Sequence, residues 1–125
     1  MTDSEMLELA AKAAGYDVRW HEQWACYVHV APHNTDNPPS LAGQRQVWVP
    51  LTDDGDALRL AVKLGIRFQY DRNAPPELGL PRECATALIN GRWYAKAPAH
   101  GGPEAATRRV IVRAAAELGK ADQCR

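Results

Sequence analysis

Asp53, Asp54 and Asp56 stand almost side by side in "VPLTDDGDALRLAVKLGI", Val49 to Ile66. Clustered carboxylates are what a hard cation needs. Calcium loops place oxygen ligands at alternate positions around a glycine and close with a bidentate glutamate. The "DDGD" run lacks that spacing, and no glutamate follows at the required distance. Magnesium needs only one or two carboxylates, but with a substrate phosphate or further ligands that the sequence does not identify. Helix capping explains all three residues without a ligand. Asp53 fits the N-cap, where its carboxylate accepts a bond from a free backbone N–H. Asp54 and Asp56 complement the positive end of the helix dipole. Architecture is therefore the preferred reading, and Asp53, Asp54 and Asp56 remain the candidates for a metal.

The other chemistry-bearing residues are scattered. His29 and His33 are four apart, a ligand spacing only on a helix. The intervening "VAPHN" contains a proline and argues against one. His21 falls in a turn and His100 in a glycine-rich loop, so the four histidines read as polar surface. Cys26, Cys84 and Cys124 are odd in number and widely spaced, without a Cys-x-x-Cys pair. They read as reduced thiols, with Cys26 turned inward as an inert core residue. Neither a Gly-x-Ser-x-Gly elbow nor a glycine-rich phosphate loop is present. No cofactor is implied, and the sequence argues against an enzyme.

Arg108, Arg109, Arg113 and Lys120 lie on or beside the last helical pattern. They could contact phosphates or an acidic protein. Glu104 and Glu117 neutralise them in part, and fifteen basic against fifteen acidic side chains leave no net charge. A polyanion partner usually leaves a basic excess, so a solvated face is the simpler account, although nucleic acid is not excluded. Four tryptophans, Trp20, Trp24, Trp48 and Trp93, are many for 125 residues. Trp48 alternates with Val47 and Val49 and so lies on the opposite face from them. An exposed tryptophan there would mark a partner surface, whereas a covering layer of helices would make it core.

These residues need elements to hold them. "TDSE" from Thr2 is a capping box opening a helix over residues 3–14, with Met6, Leu7, Leu9, Ala10, Ala13 and Ala14 as its apolar face and Gly15 as its stop. "YDVRW" and "WACYVHVA" read as strands, with Trp24, Cys26, Val28 and Val30 on the core side and Ala25, Tyr27 and His29 on the other. Residues 31–43, with three prolines and several turn formers, read as the longest loop and are expected to be the mobile or partner-facing segment. "QRQVWVP" is a strand ended by Pro50. The helix over 54–64 has Asp56, Arg59 and Lys63 as a narrow polar stripe, is buried over most of its circumference, and stops at Gly65. "IRFQYD" alternates, with Ile66, Phe68 and Tyr70 inward. Asn90-Gly91 predicts a type I′ hairpin, Leu88 facing Trp93 and Ala87 facing Tyr94. Pro103 opens the last helix, a Glu104–Arg108 pair supports it, Val110, Ile111, Ala114, Ala115 and Leu118 are buried, and Gly119 ends it. The order α-β-β-β-α-β-β-β-α predicts one α+β domain over residues 1–125: a mainly antiparallel sheet of five to six strands packed with three helices.

"WVPLTDDGDALRLAVKLGI" (Trp48–Ile66), "AATRRVIVRAAAELGK" (Ala105–Lys120) and "MLELAAKAAGYDVRW" near the N-terminus together resemble the phage ABA sandwich domain family. These are small uncharacterised proteins encoded by tailed phages and prophages. In that group the turn before the central motif often reads Trp-Asn-Pro; here it is Trp48-Val49-Pro50. The resemblance implies an α-β-α sandwich and a phage or prophage origin, and it brings no activity or catalytic residue. With no membrane-length apolar run and no signal-peptide pattern, the expectation is a cytoplasmic accessory protein in a bacterial host cell. Its preferred role is non-enzymatic binding of a host or phage protein. The partner-contact candidates are Trp48, Arg108, Arg109 and Arg113, and a homodimer is left open. A nucleic-acid-binding accessory and a metal-assisted enzyme built on the aspartates are the alternatives.

Overall fold

The computed structural model describes residues 1–30, 47–73, 77, 83–98 and 101–123. The expected loop at 31–43, with His33, and likewise His100 and Cys124, lie outside the described residues. Among the described residues nine elements follow in the predicted order: α1 (Asp3–Ala14), β1 (Val18–His21), β2 (Cys26–His29), β3 (Val47–Trp48), α2 (Asp54–Leu64), β4 (Arg67–Asp71), β5 (Cys84–Ile89), β6 (Arg92–Pro98) and α3 (Pro103–Gln123).

Local chemistry sets the helix limits. Thr2 accepts from the Glu5 N–H while the Glu5 carboxylate accepts from the Thr2 N–H, the reciprocal capping box that opens α1. Gly15 and Gly65 both take left-handed backbone angles at the ends of α1 and α2. In each case the next residue folds back on the last turn: Tyr16 N–H donates to the Ala11 carbonyl and Ile66 N–H to the Ala61 carbonyl, both at 2.9 Å.

The strands do not make the single sheet of five to six strands. They divide into two antiparallel three-stranded sheets, β1-β2-β3 and β4-β5-β6. The physical cause lies at β3. Among the described residues, only Val47 and Trp48 join the ladder, opposite Val28 and Tyr27. Pro50 follows, has no N–H to continue pairing, and turns the chain into α2. The layers also differ from helices on both sides of one sheet. α3 is the central element: it packs on β4, β5 and β6 and also on α1 and α2. That position explains why Val110, Ile111, Val112, Ala114, Ala115 and Ala116 are all buried.

Four further expectations are corrected. First, α3 does not end at Gly119 but runs through it to Gln123. A Cβ on Gly119 would lie 2.8 Å from the Leu9 carbonyl carbon and closer still to its oxygen. The glycine is there because α1 crosses α3 backbone against backbone. Second, the core side of β2 is Tyr27, which is buried, whereas Cys26, Val28 and Val30 are half-buried and Trp24 is exposed. Tyr27 pairs with Trp48 across the ladder and its hydroxyl donates to Glu8 on α1 at 3.0 Å. Third, α2 is buried on one side only, through Ala57, Leu60 and Ala61; Leu58 and Val62 are 53% and 73% exposed. Fourth, Ile66 is buried and Tyr70 half-buried as the alternation requires, but Phe68 is 41% exposed.

The second hairpin forms as expected at its tip. Asn90 and Gly91 have φ of 52° and 79°, the pair of positive angles a type I′ turn demands. Leu88 pairs with Trp93, but an irregularity between Ala87 and Leu88 moves Ala87 opposite Ala95 instead of Tyr94.

Candidate functional site

The aspartate run is held from three directions. The Val49 carbonyl accepts from the N–H groups of Thr52 and Asp53 at 3.0 and 2.8 Å, a tight turn that delivers the chain to α2. Asp53 is the N-cap, extended in backbone, and its Oδ2 accepts from the Asp56 N–H at 2.8 Å. Asp54 is exposed and pairs with Arg108 of α3. Arg108 also donates through Nε to the Leu51 carbonyl at 2.9 Å, so one guanidinium fastens the entire turn to α3.

Asp56 has a different role from the one its spacing suggested. It is 5% exposed. Its Oδ2 accepts from the Val49 N–H at 2.9 Å, and its Oδ1 accepts from Arg59 at 2.6 Å. A buried carboxylate is tolerable only when it is bonded in this way. Both oxygens thus serve the protein itself. Among the described residues, no group of three or more His, Cys, Asp or Glu side chains is arranged to hold a metal ion. Within the fold Asp53 caps α2, Asp54 anchors α3, and Asp56 ties the turn to the first sheet.

One histidine does lie nearby. His29 meets Tyr16 edge-on at 5.4 Å between ring centres, and Tyr16 in turn meets Trp48 edge-on at 6.0 Å. Burial pushes the His29 imidazole below its ordinary value; Asp56 partly offsets this and Arg59 adds to it. Burial also pushes the Tyr16 phenol up, with Arg59 lowering it and Asp56 raising it. The Lys63 ammonium sits 4.6 Å above the Tyr16 ring. This junction of α1, β2 and α2 holds a neutral imidazole and an un-ionised phenol near a committed carboxylate. Cys84 is buried, and its thiol is pushed up by burial and by Asp71, which makes it inert.

The arginine row divides. Arg108 is occupied as described. Arg109 reaches Asp3 at the start of α1 with two nitrogens on two oxygens, at 3.2 and 3.3 Å. Arg113 is exposed. The row is therefore not a free phosphate-reading face, because two of its three members bind the protein to itself. Trp48, expected at a partner surface if exposed, is 2% exposed and belongs to the core.

The apolar surface is elsewhere. In the β1–β2 hairpin Trp20 is 51% and Trp24 55% exposed. Trp24 stacks on His21 at 4.3 Å with planes 21° apart, and the Trp24 backbone N–H donates to His21 Nδ1 at 3.1 Å. Trp20 meets Tyr27 edge-on at 5.3 Å. Ala25 closes the turn with φ of 53°, a left-handed angle uncommon outside glycine. So two indoles are held in fixed orientations on a short, strained hairpin. Sequence alternation placed Trp24 on the core side because it shares its face with apolar Cys26 and Val28. The available signal was Ala25: a turn there takes Trp24 out of the strand's alternation. No family model, curated protein or solved structure matches this chain.

Proposed function

We propose that the chain is a non-enzymatic accessory protein of a phage or prophage that works by binding another protein, with the β1–β2 hairpin as the contact. The phage origin rests on the resemblance of Trp48–Ile66, Ala105–Lys120 and the N-terminal stretch described above, and the location in the bacterial cytoplasm on the sequence pattern given there. The observation that carries the binding role is the exposure of two indoles on one hairpin, Trp20 in β1 against Tyr27 and Trp24 in the turn stacked on His21. Tryptophans of this kind dominate protein–protein contacts, since a large ring with few rotors gives much buried area for little lost entropy. Among the described residues, no helix is long and apolar enough to cross a membrane.

The test is affinity capture from phage-infected or lysogenic cells, using the full chain as bait beside a Trp20→Ala/Trp24→Ala double variant. A protein retained by the natural chain and lost from the double variant supports the reading. Equal retention by both baits, with the variant folded, removes the hairpin from it.

A further inference from the structure

β4 is an edge strand: it pairs with β5 on one side, and among the described residues no strand pairs with its other side. Its sequence, Arg67-Phe68-Gln69-Tyr70-Asp71, is charged oppositely at its two ends. Natural edges are commonly defended by like charges, prolines or bulges, which repel a second strand. Here the ladder from Arg67 to Asp71 is regular against β5, and the charges do the reverse of repelling. An antiparallel copy related by a two-fold axis through Gln69 would place Arg67 opposite Asp71 twice over and Phe68 opposite Tyr70 twice over. Gln69 would meet its own copy on the axis.

We propose that β4 is the contact through which two copies of this chain pair, antiparallel about Gln69, joining two β4-β5-β6 sheets into one of six strands. Three observations favour a second copy over another occupant. The charge pattern is self-complementary only in the antiparallel two-fold register, which is the symmetry of an isologous dimer. Phe68 is the strand's exposed apolar residue, and it lies on the face where Tyr70 of the copy would cover it. Gln69 Nε2 already donates to Asp71 Oδ2 at 3.1 Å; this orients the carboxylate, which keeps its other oxygen for an arriving guanidinium. A five-residue edge buries little area, so the dimer is of the weak, concentration-dependent kind. The proposal does not rest on the hairpin reading above.

Sedimentation velocity of the full chain over a wide concentration range tests it. The natural chain should pass from monomer to dimer. Arg67→Asp should weaken the dimer about tenfold or more, because two attractive cross-strand pairs become repulsive. Asp71→Arg should do the same. Mixing the two variants should restore dimer, now a heterodimer, since the Asp at 67 of one faces the Arg at 71 of the other. Circular dichroism shows whether each variant is folded, and Arg67→Glu with Asp71→Lys replace any that is not. A natural chain that stays monomeric throughout overturns the proposal. So does a dimer that ignores both reversals, or a mixture that remains monomeric. A dimer lost instead with Trp20→Ala/Trp24→Ala moves self-association to the hairpin and also overturns it.

Discussion

Where α1 crosses α3, Gly119 lies against the Leu9 backbone, and the buried residues of both helices are rich in the smallest side chains: Ala10, Ala11 and Ala14 on α1, Ala114, Ala115 and Ala116 on α3. In the β1–β2 hairpin the opposite holds, and the largest side chains, Trp20 and Trp24, stand half in water. Area burial alone would favour the reverse, because an indole removes far more apolar surface from water than a methyl group. The difference teaches that helix-to-helix distance comes first here. Close backbones leave no room for large residues, and dispersion contact between small ones replaces bulk. The indoles are then left over for the surface. Stability should therefore be sensitive to a single carbon at the seam and nearly blind to a whole ring at the hairpin.

The largest effect is expected at the seam. Gly119→Ala would be favourable by about 1 kcal/mol on helix propensity alone. The added methyl overlaps the Leu9 carbonyl, so α1 and α3 must move apart. Overpacking of this kind costs roughly 1–3 kcal/mol and sometimes more. Urea unfolding should show a net loss at the upper end of that range. A gain in stability would mean that the two helices are not in backbone contact and would remove one side of the comparison.

Between the two regions lies the junction of the first sheet with α2. Asp56→Ala removes the acceptor of the Val49 N–H and the partner of Arg59. A buried donor left without an acceptor costs about 1–3 kcal/mol, so the loss should be smaller than at Gly119 but clear in the same measurement. Asp53→Ala removes an N-cap whose bond is more accessible and should cost about 1 kcal/mol. If Asp56→Ala were neutral, the buried carboxylate would have no structural task, and a ligand reading of the aspartates would return.

A subtler effect at that junction comes from His29. Its folded value lies below the ordinary 6.5. Over the window between the two values the unfolded chain binds more protons than the folded one, so stability rises with pH. The contribution is fully present above 6.5 and is lost as pH falls through the folded value. Urea midpoints measured from pH 7.5 down to 5 should fall, and His29→Gln should flatten that slope. An unchanged slope in the variant would place the titration elsewhere.

How much of this was legible in the sequence follows from the same contrast. Caps and turns were legible because they are local: Thr2 with Glu5, Asp53, Gly15, Gly65 and Asn90-Gly91 each carry their geometry within a few residues. Glycine at 119 was read as a stop because, within one helix, a glycine near the end looks the same whether the chain stops or another backbone passes over it. The burial of Asp56 was hidden for a related reason: its partner, Val49, lies seven residues back across a turn whose closure depends on Pro50 and Arg108. The choice of Tyr27 over Cys26 as the inward residue depended on Trp48 and Glu8, which are remote in sequence. Single-element periodicity fixes which residues share a face and leaves open which face is covered.

The smallest effect on folding should be at the hairpin. Trp24 touches His21 by stacking, but its hydrogen bond to His21 is made by the backbone N–H, which Trp24→Ala retains. More than half of the indole is already in water, so truncation removes little buried surface. The stability change should be within about 0.5 kcal/mol, the range of ordinary surface substitutions. Trp20 leans on buried Tyr27 and should cost somewhat more, which makes Trp24 the cleaner probe. If Trp24→Ala leaves the urea midpoint in place while partner capture falls, the ring is kept for contact and not for the fold. If the midpoint falls as far as for Asp56→Ala, the stacked pair is holding the strained Ala25 turn closed, and the hairpin belongs with the seam as architecture.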